Sequence, residues 1–424
     1  MVDELFLSLH DAPIGVVRPV PGDISRVTLE VERNYRHGPV QLSEAFDVIA
    51  GRRPPSEAVS NFLGSYVPEG NQRIHMANKR QIDKNNLFAL LTEFGGSLAG
   101  AVTLKTHVED TEREPVYEPL TESAVAAKLR QALTDSDQGV HDDSRSTLPG
   151  YQPKVLLFYD QGQWLVPHGN AHSTWILKPQ VPARLSRIFD EHYSHLLTSS
   201  IGLSKFKSEI RLADDMTYLA IERYDREVIG GTVRRQHQED LAAAMSLDWE
   251  DPDVKFQSPE WTDNPNRASA KRIVSTLGKS RAGRAAVIDW VRHLTFQLAV
   301  GDNDAHAKNS SLLHLPGESK LSPIYDALPN LFQDDRITWD LALGIDSEFN
   351  HQKLSVEHVL AEIDSWKLIP ASEAERTVTQ TLTSLETALE KVRPPAGITP
   401  EVPEFIHRNT TRLASGKAIG SFKH

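Results

Sequence analysis

The sequence predicts an α+β protein of two lobes, and two observations carry that prediction. Short strand-like runs dominate the first half of the 424 residues, whereas amphipathic helical patterns dominate from Gln236 onward. Between a long helical pattern and an apolar strand-like run, the stretch LAVGDNDAHAKNSSLLHL (298–315) packs Asp304, His306, Lys308 and Asn309 into six positions. So costly a polar cluster between two buried-looking elements points to a cleft between lobes, where ligands usually bind.

Taken in order, GVVRPV and RVTLEV read as strands, and NNLFALLTEFGG as a helix. Residues 105–150 turn polar and acidic, so a subdomain boundary is expected within 105–120, and DSDQGVHDDSRSTLPG (135–150) predicts a mobile loop. VLLF (155–158) and STWILK (173–178) resume the strand pattern. Leu185, Ile188, Phe189, His192, Leu196 and Leu197 then fall on one helix face. SEIRLA and TYLAIERY are two further strands. Val287, Ile288, Val291, Leu294, Thr295 and Leu298 recur at helical steps through 284–300, and the helix at 377–392 is stopped by Pro394 and Pro395.

Composition narrows the function classes. With 39% hydrophobic and 25% charged residues the chain reads as a soluble globular protein, long enough for two or three domains. The absence of cysteine excludes disulfides, thiolate metal sites and thiol nucleophiles, and fits a reducing cytoplasm. MVDELFLSLHDAP does not read as a signal peptide, and no window reaches the roughly 18 apolar residues of a membrane span. A net charge of −12 argues against nucleic-acid binding by the whole surface. The acid-free run RASAKRIVSTLGKSRAGR (267–284) and the basic tail after Glu404 read as a solvated face or a local anion contact.

The cluster at 304–309 gains meaning from its neighbours. Asp304 and Asn309 are five apart after a helix, and Asp326 follows 22 residues beyond Asp304. These are the parts phosphoryl transfer needs: one Asp to orient or deprotonate a hydroxyl, an Asn and a second Asp to hold Mg2+ on phosphates. Upstream, Lys178 ends the apolar strand WILK, where a cation neutralises nucleotide phosphates, and Glu191 on the next helix is its candidate partner. STLPGYQPK (146–154) is a turn whose amides could cover phosphates, though it lacks the Walker A spacing. Each part has a plainer reading: a snorkelling lysine, turn-forming Asp and Asn, a helix-capping Asp326. A calcium loop starting at Asp302 fails, with Ala307 where glycine is needed and Leu313 where glutamate is needed. His192 and His195 read as a helix-surface pair rather than metal ligands. Taken together and in this order, Lys178, Asp304, Asn309 and Asp326 favour a nucleotide site.

Further motifs extend the pattern: YVPEGNQRIHMANKRQIDKNNLFALLTEFGGSLAGAV (66–102), TLPGYQPK, WILKP, DEHYSHLLTSSIGL, YLAIERYDR, HQEDLAAAM, GDNDAHAKN and LSPIYDAL. With them the chain resembles, over nearly its whole length, the HipA-type serine/threonine kinases, toxins of bacterial toxin–antitoxin pairs. The resemblance implies a two-lobed kinase-like fold with a small N-terminal subdomain. Its parts would be residues 1–110, the rest of the N-lobe at 111–226 and a helical C-lobe at 227–424. It implies ATP and Mg2+ as cofactors, with Leu148, Pro149, Gly150, Tyr151 and Gln152 in the phosphate loop and Lys178 positioned by Glu191. Glu222 and Tyr224 would meet adenine through their backbone, Asp225 the ribose, and Gln238, His306 and Tyr325 would lie near the nucleotide. Asp304 becomes the catalytic Asp, with Asn309 and Asp326 on the metal.

The resemblance also implies a protein substrate, typically an aminoacyl-tRNA synthetase, whose phosphorylation would stall translation and arrest growth. It implies a small helix-turn-helix antitoxin of HipB type, with which the kinase represses its own operator DNA. Two departures stand out. Asp302 replaces an amide common in the family; it could raise the pKa of Asp304 or face water. Aligned on Gly150, Thr147 takes the place of the family's loop serine, so autophosphorylation is expected at Thr147, with Ser146 second; the added charge would eject the loop. Two other classes stay open: a catalytically silent DNA-bound corepressor and a small-molecule phosphotransferase.

Overall fold

Strand alternation in the first hundred residues builds a four-stranded antiparallel sheet. The computed structural model describes residues 2–106, 115–135, 152–168, 171–332 and 338–422. The first sheet runs in the order Asp23–Val31, Ala12–Val20, Leu5–Leu9, Val102–Lys105. Helices Ser56–Gly64 and Leu87–Phe94 cover its apolar side, and Leu5, Leu7, Val17, Leu29, Phe62 and Phe94 are buried between them. The Asn86 side chain caps the second of these helices by accepting from Ala89 N at 3.0 Å.

A six-stranded antiparallel sheet follows, ordered Val116–Pro119, Gln163–His168, Val155–Asp160, Trp175–Pro179, Met216–Glu222, Ser208–Ala213. Helix Glu122–Asp135 packs on one face through Val125, Ala126 and Leu129; helix Arg187–Ser200 packs Ile188 against Leu219 and Ile221 on the other. The polar composition of 105–150 predicts neither the strand at 116 nor the helix at 122. Its apolar face is built mainly of short side chains, which barely register in average hydrophobicity yet fit closely against a sheet.

From Gln236 on the core is helical as expected, with Trp290, Val291, Phe296 and Phe405 buried among Ala270–Lys279, Gly283–Val300, Val356–Trp366, Ala371–Lys391 and Val402–Ala414. Among the described residues, five strands nevertheless interrupt it. His237–Asp240, Ser311–Leu315 and Glu318–Leu321 form one sheet, and Asp340–Ile345 pairs with Glu348–Asn350. These strands hold the loops that carry the polar cluster.

The N-terminal sheet subdomain is seated on the C-lobe. Ser43 Oγ and Glu44 N donate to the Glu239 carboxylate at 2.8 and 2.6 Å, and Tyr66 Oη donates to Gln238 O at 2.7 Å. Gly64 lies flat against Trp249, where a Cβ would come within 2.2 Å of the indole. Towards the hinge, Arg226 donates to the carbonyls of Leu98 and Gly100 at 2.8 and 2.9 Å. The basic run at 267–284 is largely a solvated face: Lys271, Lys279, Arg281 and Arg284 are exposed, while Arg272 turns inward to the Arg267 carbonyl.

Candidate active site

Lys178 reaches the cleft through strand alternation. Trp175 and Leu177 bury against helix Glu122–Asp135, so Ile176 and Lys178 take the opposite face. There Lys178 Nζ donates to Glu191 Oε1 at 2.6 Å and to Asp326 Oδ1 at 2.7 Å. Burial works against the ammonium, but Asp326 and Glu191 outweigh it and raise its pKa. Burial also works against charge on Asp326; Lys178, with Lys154 and Arg187 behind it, holds that carboxyl well below the usual range. Asp326 adopts φ +55°, a left-handed conformation rare for a residue with a side chain. Its neighbour Tyr325 fixes the segment, its hydroxyl bonded to Ser311 Oγ at 2.7 Å and to the Lys308 carbonyl at 3.0 Å.

Helix Gly283–Val300 stops at Gly301, whose φ is +76°. The loop beyond it is closed on itself. Asp302 Oδ1 accepts from Asp304 N at 3.1 Å and from Asn330 Nδ2 at 3.3 Å, and Asn309 Nδ2 donates to the Asp304 carbonyl at 2.8 Å. The Asp304 side chain is left at the mouth of the loop. Burial and the charge of Asp326 push its carboxyl up to about 6. Asp302 is buried rather than facing water, and after burial it is Asp326 that does most to raise Asp304. Burial, then Asp304, push the Asp302 carboxyl well above its ordinary value, and its Oδ1 is the acceptor that ties the loop.

On the hinge side, Glu222 ends its strand and the Tyr224 ring stacks on Tyr325 with centroids 5.4 Å apart. The Tyr224 hydroxyl bonds the Gln238 side chain. Asp225 lines the cleft with its carboxylate already engaged. Arg223 holds it at 3.0 and 2.9 Å, Arg226 at 2.7 Å and the Gly100 amide at 2.9 Å. Gly100 has φ +73°, and a Cβ there would lie 2.7 Å from Gln238 N, so this junction demands glycine. His306 is buried, stands edge-on to Phe256, and is brought down to about 3 by burial and Lys255, so its imidazole is neutral. One cleft of about 220 Å³ is lined by Gln152, Lys178, Glu191, Glu222, Tyr224, Asp225, Gln238, Asp304, His306, Asn309, Tyr325 and Asp326. Every candidate site residue within the described residues is thus brought to it.

Residues 6–105 match the family model of the HipA N-terminal domain, and residues 146–389 that of the HipA-like C-terminal domain. The chain belongs to the HipA family. The serine/threonine-protein kinase toxin HipA of Shewanella oneidensis is 26% identical over 324 residues, 73% of this chain and 71% of that one. Y4mE of Sinorhizobium fredii, which carries a provisional kinase name, is 31% identical over 281 residues, 65% of each chain. The alignment therefore spans just under two thirds of that relative. A solved complex of Shewanella oneidensis HipA with HipB and operator DNA matches 97% of this chain and 96% of that one, with a TM-score of 0.78 at 22% identity. The two-lobed kinase-like fold with its N-terminal sheet subdomain is that of HipA.

Against this HipA frame, Ser146, Thr147, Leu148, Pro149, Gly150 and Tyr151 lie outside the described residues. The cleft also holds residues not picked out from the sequence: Lys154, Arg187, Lys255, Glu69 and Tyr66. Lys154 is brought down to about 8 by burial and by Lys178. Its place as the last residue of the quoted loop STLPGYQPK was a usable signal; Glu69 and Lys255 lie too far along the chain to give one. His195 corrects the surface-pair expectation: it is buried, 3.8 Å from Glu191 and brought down to about 3, chiefly by burial, while His192 bonds Ser208. Among the described residues no cluster of three or more His, Cys, Asp or Glu could hold a metal, and no helix is long and apolar enough to cross a membrane. Asp326 offers an ionised carboxylate and Asn309 an amide oxygen, its nitrogen being committed to Asp304. Such hard oxygen donors fit Mg2+.

Proposed function

We propose that this HipA-family chain is an ATP-dependent serine/threonine-protein kinase toxin acting in the cytoplasm. One observation carries the reading: Lys178 with its two carboxylate partners, Asp304 and Asn309 converge on a single cleft between the lobes. The hinge backbone at Glu222 and Tyr224 receives adenine. Asp225, with Gln238 bonded to it, meets the ribose, and Lys178, oriented by Glu191, neutralises phosphates as the loop through Gln152 covers them. Mg2+, when bound, neutralises charge on the phosphates, held by Asp326 and Asn309.

Asp304 orients the acceptor hydroxyl and takes its proton. The acceptor oxygen bonds to the γ-phosphorus as the bond to the β–γ bridging oxygen breaks, and ADP carries away the electron pair. The acceptor is a protein serine or threonine, with an aminoacyl-tRNA synthetase as the expected target and translational arrest as the outcome. Thr147, with Ser146 second, is the site of autophosphorylation. A HipB-like helix-turn-helix antitoxin neutralises the kinase and brings it to operator DNA, a reading supported by the fold shared with the Shewanella oneidensis HipA of the solved complex.

The test is growth arrest on expression together with phosphate transfer from labelled ATP to protein, both measured for the parent and for Asp304→Asn. Loss of both in the variant supports the reading. A variant as toxic and as active as the parent sinks it, and toxicity without transfer redirects it to the corepressor class.

A further inference from the structure

The PEG segment at 68–70 and Lys308 of the catalytic loop are given no part in the chemistry above, yet they meet in the cleft. Glu69 precedes helix Gly70–Lys79 in the N-terminal subdomain. One oxygen of its carboxylate faces Lys308 Nζ, and the other accepts from Lys255 Nζ at 2.7 Å. Lys308 also donates to the Ser65 carbonyl at 3.1 Å and stands 3.8 Å from Asp240. Lys255 is tied to the same loop by its backbone, its carbonyl accepting from Ala307 N at 3.1 Å. Both lysines are largely buried and line the same cleft as Asp304 and Asp326. Burial opposes charge on Glu69, but the two ammonium groups hold it ionised, well below the usual carboxylate range.

Two ammonium groups in a partly desolvated wall need a fixed counter-ion. Without one, each loses its proton, swings to solvent or turns on another carboxylate of the cleft: Asp240 for Lys308, and for Lys255 Asp304, which already feels its charge. Phosphoryl transfer depends on charges already in place where negative charge develops, because little covalent chemistry is left for the protein to do. Glu69 supplies that fixity from a part of the chain far removed from the catalytic loop.

We propose that Glu69 is a positioning residue of the phosphoryl-transfer site, holding Lys308 and Lys255 beside Asp304 so that the N-terminal subdomain completes the catalytic centre. The inference rests on the kinase reading above. Its plain alternative is that Glu69 only fastens the subdomain to the C-lobe. Ser43 provides the comparison, since it bonds Glu239 across the same seam and lines no part of the cleft.

The experiment uses the full chain and measures kcat for labelled-phosphate transfer, ATP Kd by titration and thermal stability. Variants are Glu69→Gln, Glu69→Asp, Ser43→Ala, Lys308→Met and the double variant Glu69→Gln/Lys308→Met. Glu69→Gln lowers kcat by about tenfold or more with ATP Kd within about threefold of the parent. Glu69→Asp recovers part of the loss, Ser43→Ala leaves kcat unchanged, and the double variant is little worse than the worse single one. Parental kcat in Glu69→Gln, a fall in kcat matched by loss of ATP binding, or an equal loss of kcat in Ser43→Ala overturns the inference and leaves the kinase reading standing. Absence of Asp304-dependent transfer in the parent overturns both.

Discussion

Replacing Gly301 by alanine isolates what holds the catalytic loop from below. Gly301 ends its helix at φ +76°, and a Cβ there would meet Phe405 Cε1 at 2.6 Å and Cζ at 3.1 Å, with Leu331 next at 3.4 Å. Gly416 supplies the control, at φ +72° with nothing within 4 Å. Both substitutions carry the left-handed backbone cost, roughly 1–2 kcal/mol. Only Gly301→Ala also overpacks a buried contact, which adds about 1–3 kcal/mol. Calorimetry of the C-lobe transition should therefore show Gly301→Ala as the less stable of the two by that second amount. Phe405→Leu, which removes the ring atoms closest to the new methyl, should recover part of the difference in a double-mutant cycle. Equal destabilisation of Gly301→Ala and Gly416→Ala, or strict additivity with Phe405→Leu, would refute the reasoning.

Three further outcomes are expected. Lys178→Met leaves Glu191 and Asp326 without their shared cation, so phosphate transfer should fall by about 10² or more, read from initial rates at saturating ATP. Arg226→Met breaks a buried ion pair and frees two carbonyls, costing about 3–5 kcal/mol, and limited proteolysis should then cut first around Leu98–Gly100. For Asp225, burial opposes the charge but Arg223 and Arg226 lower its pKa below the ordinary 3.8. A depressed folded pKa contributes stability that is present above the unfolded value and lost as pH falls through and below about 4. Melting temperature should drop over that acid window in the parent and show a shallower acid slope in Asp225→Asn.

Much of the cleft was legible in the sequence because its chemistry is concentrated in short segments. Lys178 ends an apolar strand, and Asp304 and Asn309 share one loop, so residue type and local pattern together were informative. Glu69 and Lys255 were not legible, because only the folded chain brings positions so far apart within one ion-pair distance. The helix at 122–135 escaped because its buried face is built mainly of small residues. His195 escaped because an imidazole spaced one helical turn from an acid looks the same on a surface as in a core. Asp302 shows the limit from the other side: its identity was plain, but only the fold reveals that it is buried and accepts the hydrogen bonds that tie the loop.

The seating of the N-terminal subdomain has a consequence for how the two walls of the cleft are joined. Ser43, Glu44 and Tyr66 fasten that subdomain to the strand His237–Asp240, and Arg226 fastens it to the hinge, so subdomain, hinge and C-lobe form one block along the hinge edge of the cleft. The six-stranded sheet is joined to the C-lobe at other points, by Lys178 on Asp326 and by Thr399 on Asp190 of the helix that packs on it, so the two walls of the cleft are fastened away from the hinge as well as at it.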